Sequence, residues 1–591
     1  MEPESIVSDW LARFGVAAFN GDIHGLLDTI LPFGWLRDAL IFTWDTRALE
    51  GHERIAVYLQ DRLARTHLAN FKVDERPGLR PERVRLGTLD GDGSDTEASG
   101  VGEGVTAGFS FDTPDRTGRG FVYLLQEKDT NVWKALSVFL NLEEIKGHEE
   151  AGAEAGVYGG HTIAWEEVYA ERRAETERNP HVVVVGGGQT GLQIAARFKQ
   201  MNIPTVVVER HKTIGDQWRQ RYPTLSLHTI RNHHTFLYQP YPRNWPLYTP
   251  RDKVADWLKQ YAESQDLVVW TSSHLEPTPT YDRDTKRWTV AVNRAGSLVT
   301  VHPAHIVIAI GTLGAPRIPD IAGRDRFRGT IMHASTYMGG HPFKGKNAIV
   351  VGAGNTSADI CQDLVVRGAS TVTMVQRSST CVVSIKNVRE GMFHAYPDGM
   401  PLEIADLKFN AMPMNLQRRF ARKREPEMWA RESDLHAKLR KGGVKLNMGR
   451  DGSGQHFLIY ERVGGFWTDV GVADMIESGQ VKIKQGKELV HFEENTVTFS
   501  DGSQLPADLV VFATGYLDPR VSLKELFGAE VVDNAGPLWG FDEEGEITGC
   551  YRPTGHPGFW YGAGDFSMSR FMSKQLALQI KAIELGIISQ E

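Results

Sequence analysis

Cysteine is scarce in this chain: 591 residues include three, Cys361, Cys381 and Cys550. None lies close enough to another for a CxxC motif, which excludes a disulfide framework and a cysteine zinc site of the usual spacing. A reducing, intracellular setting fits best. Long apolar runs are missing as well. No stretch of about 18 apolar residues marks a membrane-spanning helix. The opening MEPESIVSDW is acidic, with no basic-then-apolar leader pattern. The closing ELGIISQE has no lipidation or peroxisomal signal. A cytoplasmic protein with no membrane partner is expected. There is no basic excess: 66 Lys and Arg against 74 Asp and Glu give a net charge of −8. That argues against a general nucleic-acid binder. The 20 histidines show no HExxH or similar spacing, so no metal site is expected.

What is present is ordinary for a globular protein, with 41% hydrophobic and 24% charged residues. At about 150 residues per domain the length suggests three or four domains. Residues 1–147 read as a small α+β domain. Val7, Trp10, Leu11 and Phe14 follow helical spacing. A second helix is expected over 55–66, a flexible loop over 91–104, and a hairpin turn at Asp129, Thr130 and Asn131. Residues 148–179 read as a connector, loose at first and then a charged helix carrying Trp165 and Val168.

From His181 the texture becomes α/β, with short apolar strands alternating with helices. HVVVVGGGQTGLQIAARFKQMNIPTVVVER (181–210) is the strongest local signal. A buried strand runs into Gly186-x-Gly188-x-x-Gly191, then come a helix, a second strand and Glu209-Arg210. Gly186 permits the tight turn, Gly188 the approach of a pyrophosphate, and Gly191 close helix packing. The helix N-terminus offers free N–H groups to phosphate. Glu209 sits where a carboxylate can accept both ribose hydroxyl protons.

NAIVVGAGNTSADICQDLVVRGASTVTMVQRS (347–378) repeats the design. Gly352 and Gly354 are followed by Asn355, Thr356 and Ser357, with serine in the third small position. Where the first unit has Glu209-Arg210, the second has Gln376-Arg377-Ser378. An acid there would repel a 2′-phosphate, whereas arginine and serine can bind one. The first site suits an unphosphorylated adenosine ribose and the second NADP. FAD with NADPH is the economical pair. The expected fold class is α/β: two Rossmann-like dinucleotide-binding domains behind a small α+β domain.

These residues resemble the flavin-containing monooxygenases. Phe327-x-Gly329-x-x-x-His333-x-x-x-Tyr337 matches that family's FxGxxxHxxx(F/Y) identifier, just ahead of the second fingerprint. VVFATGYLD (510–518), with Thr514 and Gly515, is similar to the family's late ATG strand. GDQWRQRYPTLSLHT (215–229), with Gln217 and Trp218, resembles the segment that runs along the flavin. YGAGD (561–565), with Gly564 and Asp565, resembles the C-terminal flavin contact. Within the family, YPTLSLHT and WPLYTPRDKVADWLKQYAE give the texture of indole-3-pyruvate monooxygenases. In the second stretch Thr249 reads as a helix N-cap. Met338 after the identifier is not the Trp-Pro or Trp-Asp of Baeyer–Villiger enzymes. The first domain resembles the nuclear-transport-factor-2-like cone fold, which hosts enzymes and dimerisation modules alike. Asp38, Trp44 and Asp45 are candidates to line a pocket there, with packing as the favoured alternative.

The resemblance implies a FAD-binding domain over 180–330 and 520–591. It also implies an NADP-binding domain over 331–519 with a helical insertion at about 384–468. It implies an NADPH- and FAD-dependent monooxygenase that inserts one atom of dioxygen into a small organic substrate through a flavin hydroperoxide. The outcome would be N- or S-oxygenation, or oxidative decarboxylation of an indole-pyruvate-like 2-oxo acid. His228 stands where animal-type members carry a flavin-side asparagine, with Asn232 four residues on, so these two are the catalytic candidates. The insertion, with Phe393, Met412, Met414 and Trp429, would wall the substrate or simply fill a core. Its RRFARKRE run reads as a solvated helix face. Oligomeric state is open, with a homodimer among the options because the fold that the first domain resembles often dimerises. The alternatives are an NADPH oxidase or flavin reductase, and a non-catalytic binding protein that uses the first domain. A flavin disulfide reductase would need a redox cysteine pair, which is absent.

Overall fold

The computed structural model describes residues 2–87, 101–127 and 130–589. The first body is a curved seven-stranded sheet ordered Thr46–Glu50, Ile30–Ala39, Trp133–Ile145, Arg116–Gln126, Val101–Asp112 and Ala69–Val73, with Glu82–Gly87 also on Val101–Asp112. Helix Pro3–Asn20 closes its concave face. Its stripe of Val7, Trp10, Leu11 and Phe14 is buried. Trp10 and Phe14 reach Phe109, at centroid distances of 6.0 and 6.4 Å. Gly118 and Gly120 lie under the rings of Phe111 and Phe109, and a Cβ there would come within 2.2 and 2.1 Å of them. Aromatic rings therefore fill the cone.

Asp38 lines no pocket. It accepts from the N–H groups of Ile41, Phe42 and Thr43 and, at 2.6 Å, from the Tyr58 hydroxyl. Burial raises its carboxyl to about 6 against those hydrogen bonds. Asp45 pairs with Arg552 at 2.6 Å, and Arg116 lies over Trp44. The helix expected over 55–66 is broken at Asp61 (φ 62°) into His52–Leu59 and Leu63–Thr66. Of the loop expected over 91–104, residues 91–100 lie outside the described residues, and 101–104 belong to a strand instead. Asp129 also lies outside them; Thr130 and Asn131 (φ 57°) join antiparallel strands at Gln126 and Trp133.

The connector is pinned at its start rather than loose. Glu150 accepts from Lys574 and the Tyr238 hydroxyl, both at 2.6 Å, and pairs with Arg197. Burial alone would raise its carboxyl, but Arg197 and Lys574 outweigh this and bring it to about 2. Helix Trp165–Arg178 buries none of its residues.

Two parallel sheets follow, built alike. The first is ordered Val268–Trp270, Thr205–Val208, Val182–Val185, His305–Ile308, Phe559–Tyr561. The second is ordered Val481–Gln485, Thr371–Gln376, Asn347–Val351, Leu509–Phe512, Thr330–His333. Each has near-continuous apolar strands, as two-sided burial requires. In each, a small antiparallel sheet precedes the fourth strand of that order: Ser273–Val301 in the first and Leu489–Pro506 in the second. Among the described residues no helix is long and apolar enough to cross a membrane.

Between Thr380–Ser384 and Phe466–Asp469, which pair in parallel, the chain runs through six helices. Two of them, Leu402–Ala411 and Met414–Lys423, lie against the N-terminal sheet. Ile404, Leu407 and Ala411 pack on Ala39, Phe121 and Phe139, while Leu416 and Phe420 pack on Leu31, Trp35 and Leu136. Ion pairs frame this contact. Buried Arg37 binds Glu546 at 2.5 and 2.7 Å, Arg47 binds Glu544, and Arg419 reaches Glu50 at 2.6 Å while lying over Trp35. Arg418 lies over Phe457 and Phe541 and pairs with Glu461 at 2.7 Å. The basic run is therefore a docking element, not a solvated face. Met412 packs on the N-terminal sheet, and Trp429 on Cys381, Met448 and Leu458, so both are core filling.

On its other side, helix Leu402–Ala411 presents Asp406 to Arg570 of the last helix, Phe566–Glu584. The guanidinium is bound at 2.6 Å through two nitrogens, and both side chains are 3% exposed. Arg570 also donates to the carbonyl of His233 at 3.1 Å and to that of Thr235. Asp406→Asn would strand a buried cation, which typically costs about 3–5 kcal/mol. Urea unfolding should show that loss, and Asp406→Leu combined with Arg570→Met should recover part of it.

Candidate functional site

The first glycine unit leaves its strand at Gly186, whose φ of 111° favours glycine. A Cβ at Gly186 would lie 2.5 Å from the Ala309 carbonyl, and one at Gly191 would lie 1.9 Å from the Gly186 carbonyl. The fold itself requires these two glycines. Gly188 is different. Its φ is −83°, and a Cβ there would meet nothing closer than Gln217 Nε2 at 3.6 Å. The second unit repeats this contrast. Gly352 has φ 129° and abuts the Ala513 carbonyl at 2.4 Å, whereas Gly354 has φ −119° and its nearest contact is 3.5 Å away. Gly188 and Gly354 each cap a helix, Gln189–Gln200 and Asn355–Val366, and each leaves open the space a ligand's phosphates need.

Buried polar atoms without partners surround these turns. Both amide atoms of Gln217, the indole Nε1 of Trp218 and the Ser357 hydroxyl have no hydrogen bond within the protein. Orphaned buried groups are rare and call for a ligand or water. The residues present therefore fit two bound dinucleotides.

Glu209, 5% exposed, accepts from Gly187 N–H at 2.7 Å and His211 N–H at 2.8 Å, and His211 Nδ1 lies 2.6 Å away. Arg210 is exposed. The equivalent Gln376 is turned away. It donates to Thr380 and the Lys445 carbonyl and accepts from Lys445 N–H. Arg377 is 76% exposed and lies 3.3 Å from Glu488, while Ser378 is exposed beside it. Asn355 accepts from Thr468 N–H at 2.8 Å, and Thr356 follows it on the helix.

The strand-end turns are fastened to each other. The Thr514 hydroxyl donates to the Arg317 carbonyl. His333 Nδ1 accepts from Ser335 N–H, which leaves Nε2 to donate to the Gly515 carbonyl at 3.0 Å. Tyr337 donates to Asp363 at 2.7 Å. The identifier segment thus acts as a clip on the second unit.

At the far end, Gly564 (φ 124°) precedes Asp565, which caps the last helix through Met568 N–H at 2.9 Å. Burial would raise this carboxyl, but His233, the Met568 N–H, Ser567 and Arg570 outweigh it and hold it below its ordinary value. His233 Nε2 lies 3.0 Å from the Ser567 hydroxyl. His228 lies within electrostatic range of Asp359. The Tyr222 hydroxyl donates to that same carboxylate at 2.6 Å. Asn232 sits elsewhere. Its amide is committed to the Tyr396 carbonyl at 3.0 Å and to Asp398 at 2.9 Å, so the two catalytic candidates do not converge. Thr249 is not the helix cap, because the helix is Arg251–Ser264 behind Pro250. Thr249 is buried and bonded to His234 and Trp245. Sequence reasoning missed Asp359, Asp406, Arg570 and Tyr396. Only Asp359, on the helix of the second fingerprint, lay near a recognised signal.

Two parallel sheets with two glycine cradles define an oxidoreductase architecture for paired dinucleotides. Residues 179–525, more than half of the chain, match the family described as FMO-like, flavin-binding monooxygenase-like, and the chain belongs to that family. It is accordingly an oxidoreductase of the flavin-dependent monooxygenase type. Indole-3-pyruvate monooxygenase YUCCA1 of Oryza sativa subsp. japonica is 28% identical over 350 residues, 59% of this chain and 79% of that protein. Probable indole-3-pyruvate monooxygenase YUCCA9 of Arabidopsis thaliana is 28% identical over 362 residues, 60% and 78% of the two chains. Among solved structures, epsilon-caprolactone-bound cyclohexanone monooxygenase in its Loose conformation matches with a TM-score of 0.50 at 15% identity. The match covers 69% of this chain and 89% of that one, and is a likeness of fold.

Gly188→Val should separate ligand from fold. We expect it to purify without yellow flavin while its melting temperature matches that of the flavin-stripped parent. Gly191→Ala should lower the melting temperature itself. Visible absorbance and thermal denaturation check both outcomes.

Proposed function

We propose that this protein is an NADPH-dependent monooxygenase with FAD on the first cradle and NADP on the second. It transfers one atom of dioxygen to a small organic substrate. The observation that carries this reading is the pair Gly188 and Gly354, glycines the chain's own packing does not demand, with an acid after one cradle and Arg377-Ser378 after the other. The bound flavin supplies hydride acceptance and oxygen activation. Helix N-terminal N–H groups behind Gly188 receive the pyrophosphate, and Glu209 receives the ribose hydroxyls. Gln217 and Trp218 bring their unpartnered polar atoms to the flavin's flank. Gln376 is locked away, so nothing acidic opposes a 2′-phosphate, and Arg377 is free to leave Glu488 and grip it.

His228 is our candidate for holding or moving a proton, on the side of the site where Asp359 lies. Asn232 positions the insertion instead. The insertion keeps water from the site. The two outcomes we carry are oxygenation of nitrogen or sulfur, which suits a wall that, among the described residues, offers no free cation to a carboxylate, and decarboxylation of an indole-pyruvate-like 2-oxo acid. The relatives' names favour the second. We read the N-terminal domain, which resembles the nuclear-transport-factor-2-like cone, as a scaffold, because Phe109 and Phe111 occupy its interior and its outer face holds the insertion.

Anaerobic reduction tests the cofactor assignment. NADPH should reduce the bound flavin in strong preference to NADH. Arg377→Ala should weaken the apparent NADPH affinity roughly 10- to 100-fold, the worth of a charge-assisted contact, with NADH unchanged. Equal losses for both nucleotides would defeat it.

A further inference from the structure

The insertion brings more to the site than cover. A row of aromatic rings runs from the flavin-side turn into it. His233, beside Asp565 and Ser567, meets Tyr396 edge-on at 5.1 Å. Tyr396 meets Phe409 at 5.7 Å, and Phe409 stands perpendicular to His456 at 6.2 Å. His456 lies 5.2 Å from Tyr460, which stacks on Trp539 at 5.8 Å and meets Phe541 at 5.3 Å. Four separate stretches of chain supply this wall. It is also held against local preference. Trp539 sits at φ 77°, a region bulky residues avoid, with its indole N–H donated to the Ile459 carbonyl at 3.2 Å.

Some polar atoms along the row are engaged, while His233 Nδ1 is buried without a partner. Tyr396 donates to Asp406 at 3.1 Å, and Asn232 holds the Tyr396 carbonyl. His456 differs: its ring nitrogens have no hydrogen-bond partner among the described residues, and the ring is half-buried rather than enclosed. Its two ring nitrogens are unmet beside flat rings, which is how a ligand-facing group stands.

We infer that His456 and this aromatic wall form the acceptor chamber for a planar aromatic substrate without net negative charge, and that His456 anchors the substrate's polar edge. This rests on the flavin monooxygenase reading above. The local charges support the sign. The ionisable groups that act on His456 are Asp565 and His233. Burial pushes His456 down to about 4, so it presents a neutral ring with one donor and one acceptor. Asp565 stays ionised. The cation behind Tyr396, Arg570, is already neutralised by Asp406. A carboxylate-bearing substrate would meet Asp565 with no unpaired counter-charge among the described residues of this wall, since Arg418 against Phe541 is already paired with Glu461. A neutral or cationic aromatic amine or thioether would lie flat on the rings and bond to His456.

Calorimetric titration of the holoenzyme with indole, tryptamine and indole-3-acetate tests the charge preference. Indole and tryptamine should bind, with indole-3-acetate at least about tenfold weaker. Comparing indole with 1-methylindole tests the anchor. His456→Phe keeps a ring in place and should weaken indole up to about tenfold while leaving 1-methylindole unchanged, and His456→Gln should restore most of the indole affinity. Equal binding of indole, tryptamine and indole-3-acetate, or equal effects of His456→Phe on indole and 1-methylindole, would overturn the inference. Flavin content and anaerobic reduction by NADPH are read on the same samples. If those fail in the parent protein, the preceding reading falls. If they hold and the titrations show no discrimination, only this one does.

Discussion

One buried ion pair, Asp406 with Arg570, orders the rest of this molecule. Two charged groups almost wholly withdrawn from water saturate each other, with backbone carbonyls accepting from the remaining guanidinium N–H groups. The pair joins residues 164 positions apart. Through it the last helix, which carries Asp565 at its start, grips the insertion and the turn at 233–235 together. The other face of the Asp406 helix is pressed onto the N-terminal sheet by Ile404, Leu407 and Ala411. Chemistry at the flavin turn therefore has a rigid mechanical path to a domain that contributes no group to that turn.

That path gives the N-terminal sheet a physical purpose. Here glycines at 118 and 120 admit phenylalanine rings, and the candidate pocket acids are spent on backbone N–H groups and on Arg552. What remains useful is the outer face, where the central strands Ile30–Ala39, Trp133–Ile145 and Arg116–Gln126 carry the contacts to helices Leu402–Ala411 and Met414–Lys423. Apolar burial provides most of the adhesion, while the partly buried arginine pairs set orientation.

The sequence made some of this legible for reasons of range. Each glycine unit is a local object of about 30 residues, so its turn, helix, second strand and terminal acid or arginine could be read in order. Glu209 and Gln376 even announced how the two sites differ. The misreadings all involve distant partners. Arg418 and Arg419 read as a solvated run because the rings beneath them, at 457, 541 and 35, come from elsewhere. Glu150 read as part of a loose linker because Lys574 lies more than 400 residues away. Thr249 had the chemistry of a helix cap, but Trp245 and His234 claimed its hydroxyl. His456 gave no signal at all, since a lone histidine acquires meaning only from what faces it.

The fifth strand of the first parallel sheet, Phe559–Tyr561, pairs with His305–Ile308 across roughly 250 intervening residues. The ribosome has therefore made the whole second unit and its insertion before the first sheet can close. Until then the edge of His305–Ile308 is an open, apolar strand edge, the kind that recruits a neighbour. During synthesis the second unit folds as an excursion from an unfinished sheet. The first cradle becomes competent late, and the last helix acts as the latch that ends the nascent chain's exposure to aggregation.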